Sequence, residues 1–259
     1  MTQRTAQKTW RTPFTIVERT LLLSFAKPRR VISSAVLGGG IGYASHVLNH
    51  QVDVPGAGVR LEDPARFLSR VARRLGCRDV VVGLMTAVNL RHMILHRKEA
   101  HGIWVEGFLT VGVTNAVRAG EPVNFSDVEV AQKSRGTINI ILVTNAGLNS
   151  AAMVGAIGVA TEAKTAALLD ARVPSRSGWG LATGTGTDAI VLVTGHAPRI
   201  RYSGTHTLMG HLIGCVVREG VRQGLQRVLG KAEPSRASSP MKQRENHKEP
   251  KVFQKIDGE

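Results

Sequence analysis

The chain has 259 residues, 42% hydrophobic and 20% charged, enough to bury one sizeable core, which excludes disorder throughout. Lys and Arg number 34 against 19 Asp and Glu, a net charge of +15, but residues 1–30 hold seven basic residues to one acidic and residues 231–259 add a further excess, so much of the charge sits in segments that read as solvated. Two cysteines, Cys77 and Cys215, both among apolar neighbours, exclude a disulfide framework or a four-thiolate zinc site and fit a reducing cytoplasm.

Residues 1–30 read as an accessory basic segment. The apolar stretch Leu21 to Phe25 is too short for a signal-peptide core and runs into Lys27-Pro28-Arg29-Arg30 rather than a cleavage site, so export is not expected. Removal of the first dozen residues should leave the melting temperature nearly unchanged. The domain proper is expected over residues 31–230, as one α/β unit with helices packed against a mixed sheet. Its strand-like runs are Arg30 to Ala35, Gln51 to Val54, Val80 to Thr86, Trp104 to Asn115, Thr137 to Thr144 and Ala189 to Thr194. Helical spacing marks Pro64 to Leu75, Asn149 to Ala171 and Thr205 to Leu225. Thr137 to Thr161 holds no charge, but the turn and helix-start pattern from Thr144 to Ser150, with Asn139, Asn145 and Asn149, speaks for strand, turn and helix rather than a membrane span. Residues 231–259 lack hydrophobic periodicity and carry three prolines, the pattern of a disordered tail. Trp10, Trp104 and Trp179 are isolated from one another and offer no series of stacking platforms, so nucleic acid is not an expected partner.

Two constellations could carry chemistry. The helix Asn149 to Ala171 is apolar nearly all round and reads as buried, yet it contains Thr161-Glu162-Ala163-Lys164-Thr165. Glu162 and Lys164 lie about 200° apart on a helix and each needs its own partner. Either this end of the helix emerges into solvent, or both charges project into a polar cleft. The second is Thr183-Gly184-Thr185-Gly186-Thr187-Asp188 ahead of a strand: alternating Thr and Gly gives a loop whose amides and hydroxyls can meet a ligand, or a flexible lead into a hairpin. It is neither a Walker loop nor a dinucleotide fingerprint. His46/His50 and His92/His96 have the i,i+4 spacing of a helical metal pair, but without an adjacent Glu no metal site is expected. Val113-Thr114-Asn115-Ala116 and Val143-Thr144-Asn145-Ala146 echo one another, as strand-end turn chemistry or as polar residues gathered at one sheet edge.

Ser33-Ser34-Ala35 with Gly38-Gly39-Gly40, Gly136-Thr137-Ile138-Asn139-Ile140, Thr161 to Leu168, Ala182-Thr183-Gly184-Thr185 with Thr187-Asp188, and Gly204-Thr205 ahead of Gly210 together resemble the adenosylcobinamide amidohydrolases (the CbiZ family), from about Val31 to Leu229. The resemblance implies hydrolysis of the amide joining aminopropanol to the corrin ring, giving adenosylcobyric acid for corrinoid salvage, with the corrinoid as substrate and no cofactor. It transfers no catalytic residues. The chemistry of amide hydrolysis selects Glu162, Asp188, Lys164 and Thr187 as the catalytic set, converging on one cleft, and Ser34, Gly38, Gly39, Gly40, Asn139, Thr183 and Thr185 as substrate-binding residues. A non-catalytic corrinoid-binding protein is the alternative. The oligomeric state and the range of corrinoids accepted are not set by the sequence.

Overall fold

The computed structural model describes residues 10–53, 62–122 and 136–230. The expected C-terminal tail lies outside these residues, as do the first nine. In chain order the elements are β1 (Phe14–Val17), β2 (Thr20–Ser33), β3 (Gly40–Gln51), α1 (Pro64–Arg74), β4 (Val81–Thr86), β5 (Ile94–Ala100), β6 (Ile103–Val111), β7 (Ala116–Val117), β8 (Ile138–Thr144), β9 (Gly147–Leu148), α2 (Ser150–Asp170), β10 (Gly184–Thr185), β11 (Ala189–Val193), β12 (Arg199–Ile200) and α3 (Leu208–Leu229), with a short 3-10 turn at Leu90–His92. Among the described residues one mixed sheet of eight strands runs β4-β3-β2-β11-β8-β6-β5, with β1 beside β2, and three helices pack on it in a single domain.

β2 folds this sheet over itself. Its pairing with β3 shifts register between Ser24 and Arg29, where Pro28 has no N–H to give a neighbour. Its first half pairs with β1, and its last residues pair with β11. Side-chain alternation shows the layers. On β8, Ile140 and Leu142 join the cluster under α2 and α3, while Ile141 and Val143 face a second interior with Leu21, Leu23, Val47, Leu84 and Phe108. On β3, Val47 enters that interior and Leu48 turns outward to Leu68 and Ala72 of α1. The succession is therefore a helix pair, half a sheet, an apolar interior, the other half, and α1. Covered on both sides, β8 reads as a continuous apolar run.

Each helix starts on a side-chain cap: Asp63 accepts from Arg66 N, Asn149 from Ala152 N and Thr207 from Gly210 N. α3 lies close on β6 because Gly220 and Gly224 face it; a Cβ at Gly224 would stand 2.5 Å from Val111. α2 is long and apolar enough to cross a membrane by composition, but it spends its apolar residues on the sheet and α3. It is not buried all round: Val154, Gly158, Thr161 and Glu162 are exposed along it.

The N-terminal expectation needs correction. Residues 14–33 form two strands of the sheet, and residues 10–12 are anchored as well. Trp10 and Phe14 pack on Phe108 at ring-centroid distances of 5.9 and 5.2 Å. The buried carboxylate of Glu106 accepts the backbone N–H groups of Arg11 at 2.7 Å and Thr12 at 2.9 Å. The glycine run does lie between two strands, β2 ending at Ser33 and β3 beginning at Gly40, but the second comes before the expected Gln51 to Val54 and ends at Gln51.

Candidate active site

The first turn of chemistry is at the start of β11. Lys164 projects from the sheet-facing side of α2, and its Nζ donates to Asp188 Oδ2 at 2.5 Å; the two side chains are 8% and 11% exposed. Thr185 N donates to the same oxygen at 3.0 Å. The other oxygen, Oδ1, accepts from Ile138 N at 2.9 Å and from the Thr185 hydroxyl. Both carboxylate oxygens are thus doubly engaged, by a cation, a hydroxyl and two amides, which is how a buried charge avoids the cost of lost water. Gly184 is required here because a Cβ would stand 2.7 Å from Asp188 Oδ2 and 2.8 Å from Lys164 Nζ.

The loop around this pair is tied down on every side. Gly184 and Thr185 form β10 against Val117 and Ala116 of β7. The Thr183 carbonyl accepts from the Thr165 hydroxyl at 3.0 Å, and the Thr183 hydroxyl accepts from Ala119 N at 2.9 Å. Thr187 is exposed and its hydroxyl donates to the Gly136 carbonyl at 3.2 Å. Its own carbonyl takes the Thr137 hydroxyl at 2.9 Å. Beyond Thr137 a polar chain crosses the interior: Asn139 Nδ2 donates to Asn49 Oδ1 at 3.0 Å and to the Met85 carbonyl at 2.7 Å, and Asn49 Nδ2 donates to the Thr110 hydroxyl at 3.2 Å.

The structure brings together Lys164, Asp188, Thr183, Thr185 and Thr187, with Asn139 linked to Thr187 through the Thr137 hydroxyl. It leaves Glu162 apart: the 200° that separates it from Lys164 puts it on the solvent face of α2, so the expected three-way convergence does not occur. Ser34 is exposed and holds the start of β11, giving its N–H to the Ile190 carbonyl at 3.0 Å and accepting Ile190 N on its hydroxyl at 3.1 Å. In the glycine run, Gly38 has a φ of +67°, and a Cβ would stand 2.4 Å from the Val81 carbonyl; at Gly39 it would stand 2.5 Å from the Ala35 carbonyl. Gly40, at a φ of +98°, has open space beside it. The close approaches at Gly38 and Gly39 are thus to the chain's own backbone.

The histidine pairs are not helical. His46 and His50 lie on β3, four residues apart along a strand, about 13 Å. His46 Nδ1 is 3.0 Å from the Ser24 hydroxyl and His50 Nδ1 is 2.8 Å from that of Thr20. Burial, aided by the charges of Arg74 and Arg19, lowers the pKa of His50 below its ordinary 6.5. Among the described residues no three His, Cys, Asp or Glu side chains group as metal ligands. The sequence echo divides between opposite ends of the sheet. Asn115 lies beside Gly136 and Gly186, with its buried Oδ1 unpartnered, whereas Asn145 pins Trp104 N and the Gly102 carbonyl. The two asparagines of the echo therefore do not gather at one sheet edge. Sequence reading missed Asn49, Thr110 and Thr137; the signal available was period two, since Thr110 shares a strand face with Phe108, and Asn139 with Ile141.

Comparison with known proteins now bears on this geometry. The sequence matches the family described as adenosylcobinamide amidohydrolase over residues 5–233. The chain belongs to this family. An adenosylcobinamide amidohydrolase of Methanosarcina mazei is 32% identical over 203 residues, 74% of this chain and 88% of that protein. An uncharacterized protein of Methanocaldococcus jannaschii is also 32% identical, over 222 residues, 80% of this chain and 86% of that protein. Among solved structures, a Burkholderia sp. beta-aminopeptidase covers 80% of this chain and 78% of its own at 12% identity and a TM-score of 0.40. The family match reaches Arg11 and Thr12, so it takes in the anchored N-terminal segment as well as the Lys164 cluster.

Proposed function

We propose that the protein hydrolyses the amide between aminopropanol and the corrin ring of adenosylcobinamide, with Thr185, Asp188 and Lys164 as its working set. The observation that carries the reading is the family membership over residues 5–233, and the hydroxyl, carboxylate and ammonium linked in series at a sheet end give it a chemistry. Asp188 has no oxygen free to activate water, so its part is to hold the Thr185 proton. With that proton directed at Asp188 Oδ1, the Thr185 oxygen keeps its lone pairs for attack, from a buried residue next to the exposed Gly186 and Thr187.

The Thr185 oxygen attacks the amide carbonyl carbon and its proton passes to Asp188. Collapse of the adduct breaks the C–N bond, and the departing amine takes that proton. Water then cleaves the Thr185 ester, releasing the acid and restoring the hydroxyl. Lys164 is a positioning residue: it fixes the carboxylate and balances its charge. Glu162, on the solvent face, has no part.

Incubation of the full chain with adenosylcobinamide, followed by mass spectrometry, tests the reading. Equal amounts of adenosylcobyric acid and aminopropanol are expected, and their absence under all conditions sinks it. The saturation of Asp188 favours a second reading, a corrinoid-binding protein without turnover, which the same assay separates: bound corrinoid recovered intact. Thr185→Ala should abolish hydrolysis while Thr185→Ser retains it; a fully active Thr185→Ala removes the nucleophile assignment alone.

A further inference from the structure

Of the three tryptophans, Trp104 is buried and Trp10 lies against Phe108, but Trp179 is 61% exposed. It tips a short turn flanked by glycines in the left-handed region, Gly178 at a φ of +79° and Gly180 at +98°. Turn chemistry at such a tip is met by Asn, Asp, Ser or Gly and does not call for an indole. Nor is the loop loose. Pro174 bridges to Leu181, Ser175 N donates to the Gly180 carbonyl at 2.8 Å, and Gly178 N donates to the Ser175 carbonyl at 3.1 Å.

Outside the turn, Glu121 Oε2 accepts the hydroxyls of Ser175 at 2.5 Å and Ser177 at 2.7 Å and Arg118 N at 3.1 Å, and the Arg118 guanidinium donates to the Leu181 carbonyl at 2.9 Å. Although partial desolvation opposes it, these donors hold the Glu121 pKa below the ordinary carboxylate range, so the clamp stays charged at neutral pH. A rigid loop that spends this many bonds on keeping a large aromatic face in water is built to present that face.

The loop also stands next to the reacting groups. Arg176 N donates to the Ala116 carbonyl at 2.9 Å, and Ala116 is the residue that pairs with Thr185 across β7 and β10. Thr185 follows Trp179 by six positions, so their Cα atoms are within about 20 Å even if the chain between them were fully extended.

We infer that Trp179 is a stacking platform for a planar conjugated ring of the substrate, holding it while its amide side chain reaches Thr185. This rests on the corrinoid reading above. Adenosylcobinamide carries two such rings, the corrin and the adenine, and the shared chemistry is a flat π surface laid on the indole.

The test is equilibrium dialysis of the full chain against adenosylcobinamide, cyanocobinamide and adenosine, with wild type, Trp179→Ala and Trp179→Phe. Trp179→Ala should weaken adenosylcobinamide binding about 10-fold or more, while Trp179→Phe stays within about 3-fold, as aromatic stacking requires. Both variants should melt with wild type, because the side chain packs on little. Where the alanine variant turns over, KM should rise and kcat hold. An equal loss for cyanocobinamide assigns the corrin; a loss confined to adenosylcobinamide and adenosine assigns the adenine. Wild-type and Trp179→Ala affinities within 2-fold for adenosylcobinamide overturn the inference and leave the proposed function standing, whereas a wild type that binds no corrinoid overturns both.

Discussion

Asp188 and Glu106 are two carboxylates withdrawn from water at opposite ends of the same strand pair, Asp188 beside the first residue of β8 and Glu106 paired in register with Val143 near its last. Glu106 is fully buried and answered by backbone: two amides of the N-terminal segment, with the Arg97 guanidinium at 3.9 Å. Asp188 takes two amides as well, but adds side chains that can themselves react or move, an ammonium and a hydroxyl, and it retains a margin of exposure. Burial cost alone does not separate a structural charge from a chemical one. The partners differ: amides fix a chain, while a hydroxyl hydrogen-bonded to a carboxylate at the end of a central strand is the arrangement the proposed proton transfer uses.

The contrast breaks most visibly at Asp188. Asp188→Asn leaves Lys164 buried without a counter-charge and removes the acceptor of the Thr185 proton. Turnover should fall by roughly 100-fold or more, and stability by about 3 to 5 kcal/mol, read from initial rates and urea denaturation. Normal turnover in the folded fraction would make this pair structural, like the other. Glu106→Gln should cost about 2 to 3 kcal/mol, since an amide can accept only one of the two N–H groups well, yet kcat and KM in the folded protein should stay at wild-type values. A large kcat loss there would erase the distinction.

A smaller effect is pH-linked. His50 has its pKa lowered in the fold, so the unfolded chain binds the proton more tightly. Its contribution is complete above about 6.5 and declines as the pH drops from there towards the lowered value. Denaturant midpoints at pH 7.5 and 5.5 should differ in wild type, and the difference should shrink in His50→Gln. The smallest expected effect is at Glu162: Glu162→Gln should leave turnover within about 2-fold and stability within about 0.5 kcal/mol, as for an exposed side chain without a special contact. A 100-fold loss of rate would return it to the catalytic set.

What the sequence disclosed follows from which signals survive burial. β8 and β11, covered on both faces, are rich in β-branched residues, β6 is mainly apolar around Glu106 and Gly107, and α1 announces itself by its period and α2 by its helix-start pattern. The Thr/Gly loop ending in Asp188 was legible because a carboxylate and three hydroxyls beside glycines have few structural uses. β2 was hidden before Arg30: Lys27, Pro28 and Arg29 look like a tail, and only the fold shows Arg29 donating to the Thr194 and Thr144 carbonyls across the sheet. β5 was hidden for the same reason, since its Arg97, Lys98 and Glu99 suit the open edge it occupies. Glu162 and Lys164 shared one motif, and geometry alone parted them.

β2 also governs the order in which the molecule can be assembled. Its last residues pair with β11, Val31 opposite Val193, so a strand made early must wait for one made near the end before the sheet can close between β3 and β8. A nascent chain on the ribosome therefore carries β1, β2 and β3 with one edge unsatisfied through most of its synthesis. Pairings so distant in sequence slow the search for the native topology and leave apolar edges open to other chains meanwhile. The charged residues at the bend of β2 lie on that waiting edge, where they keep it soluble until its partner arrives.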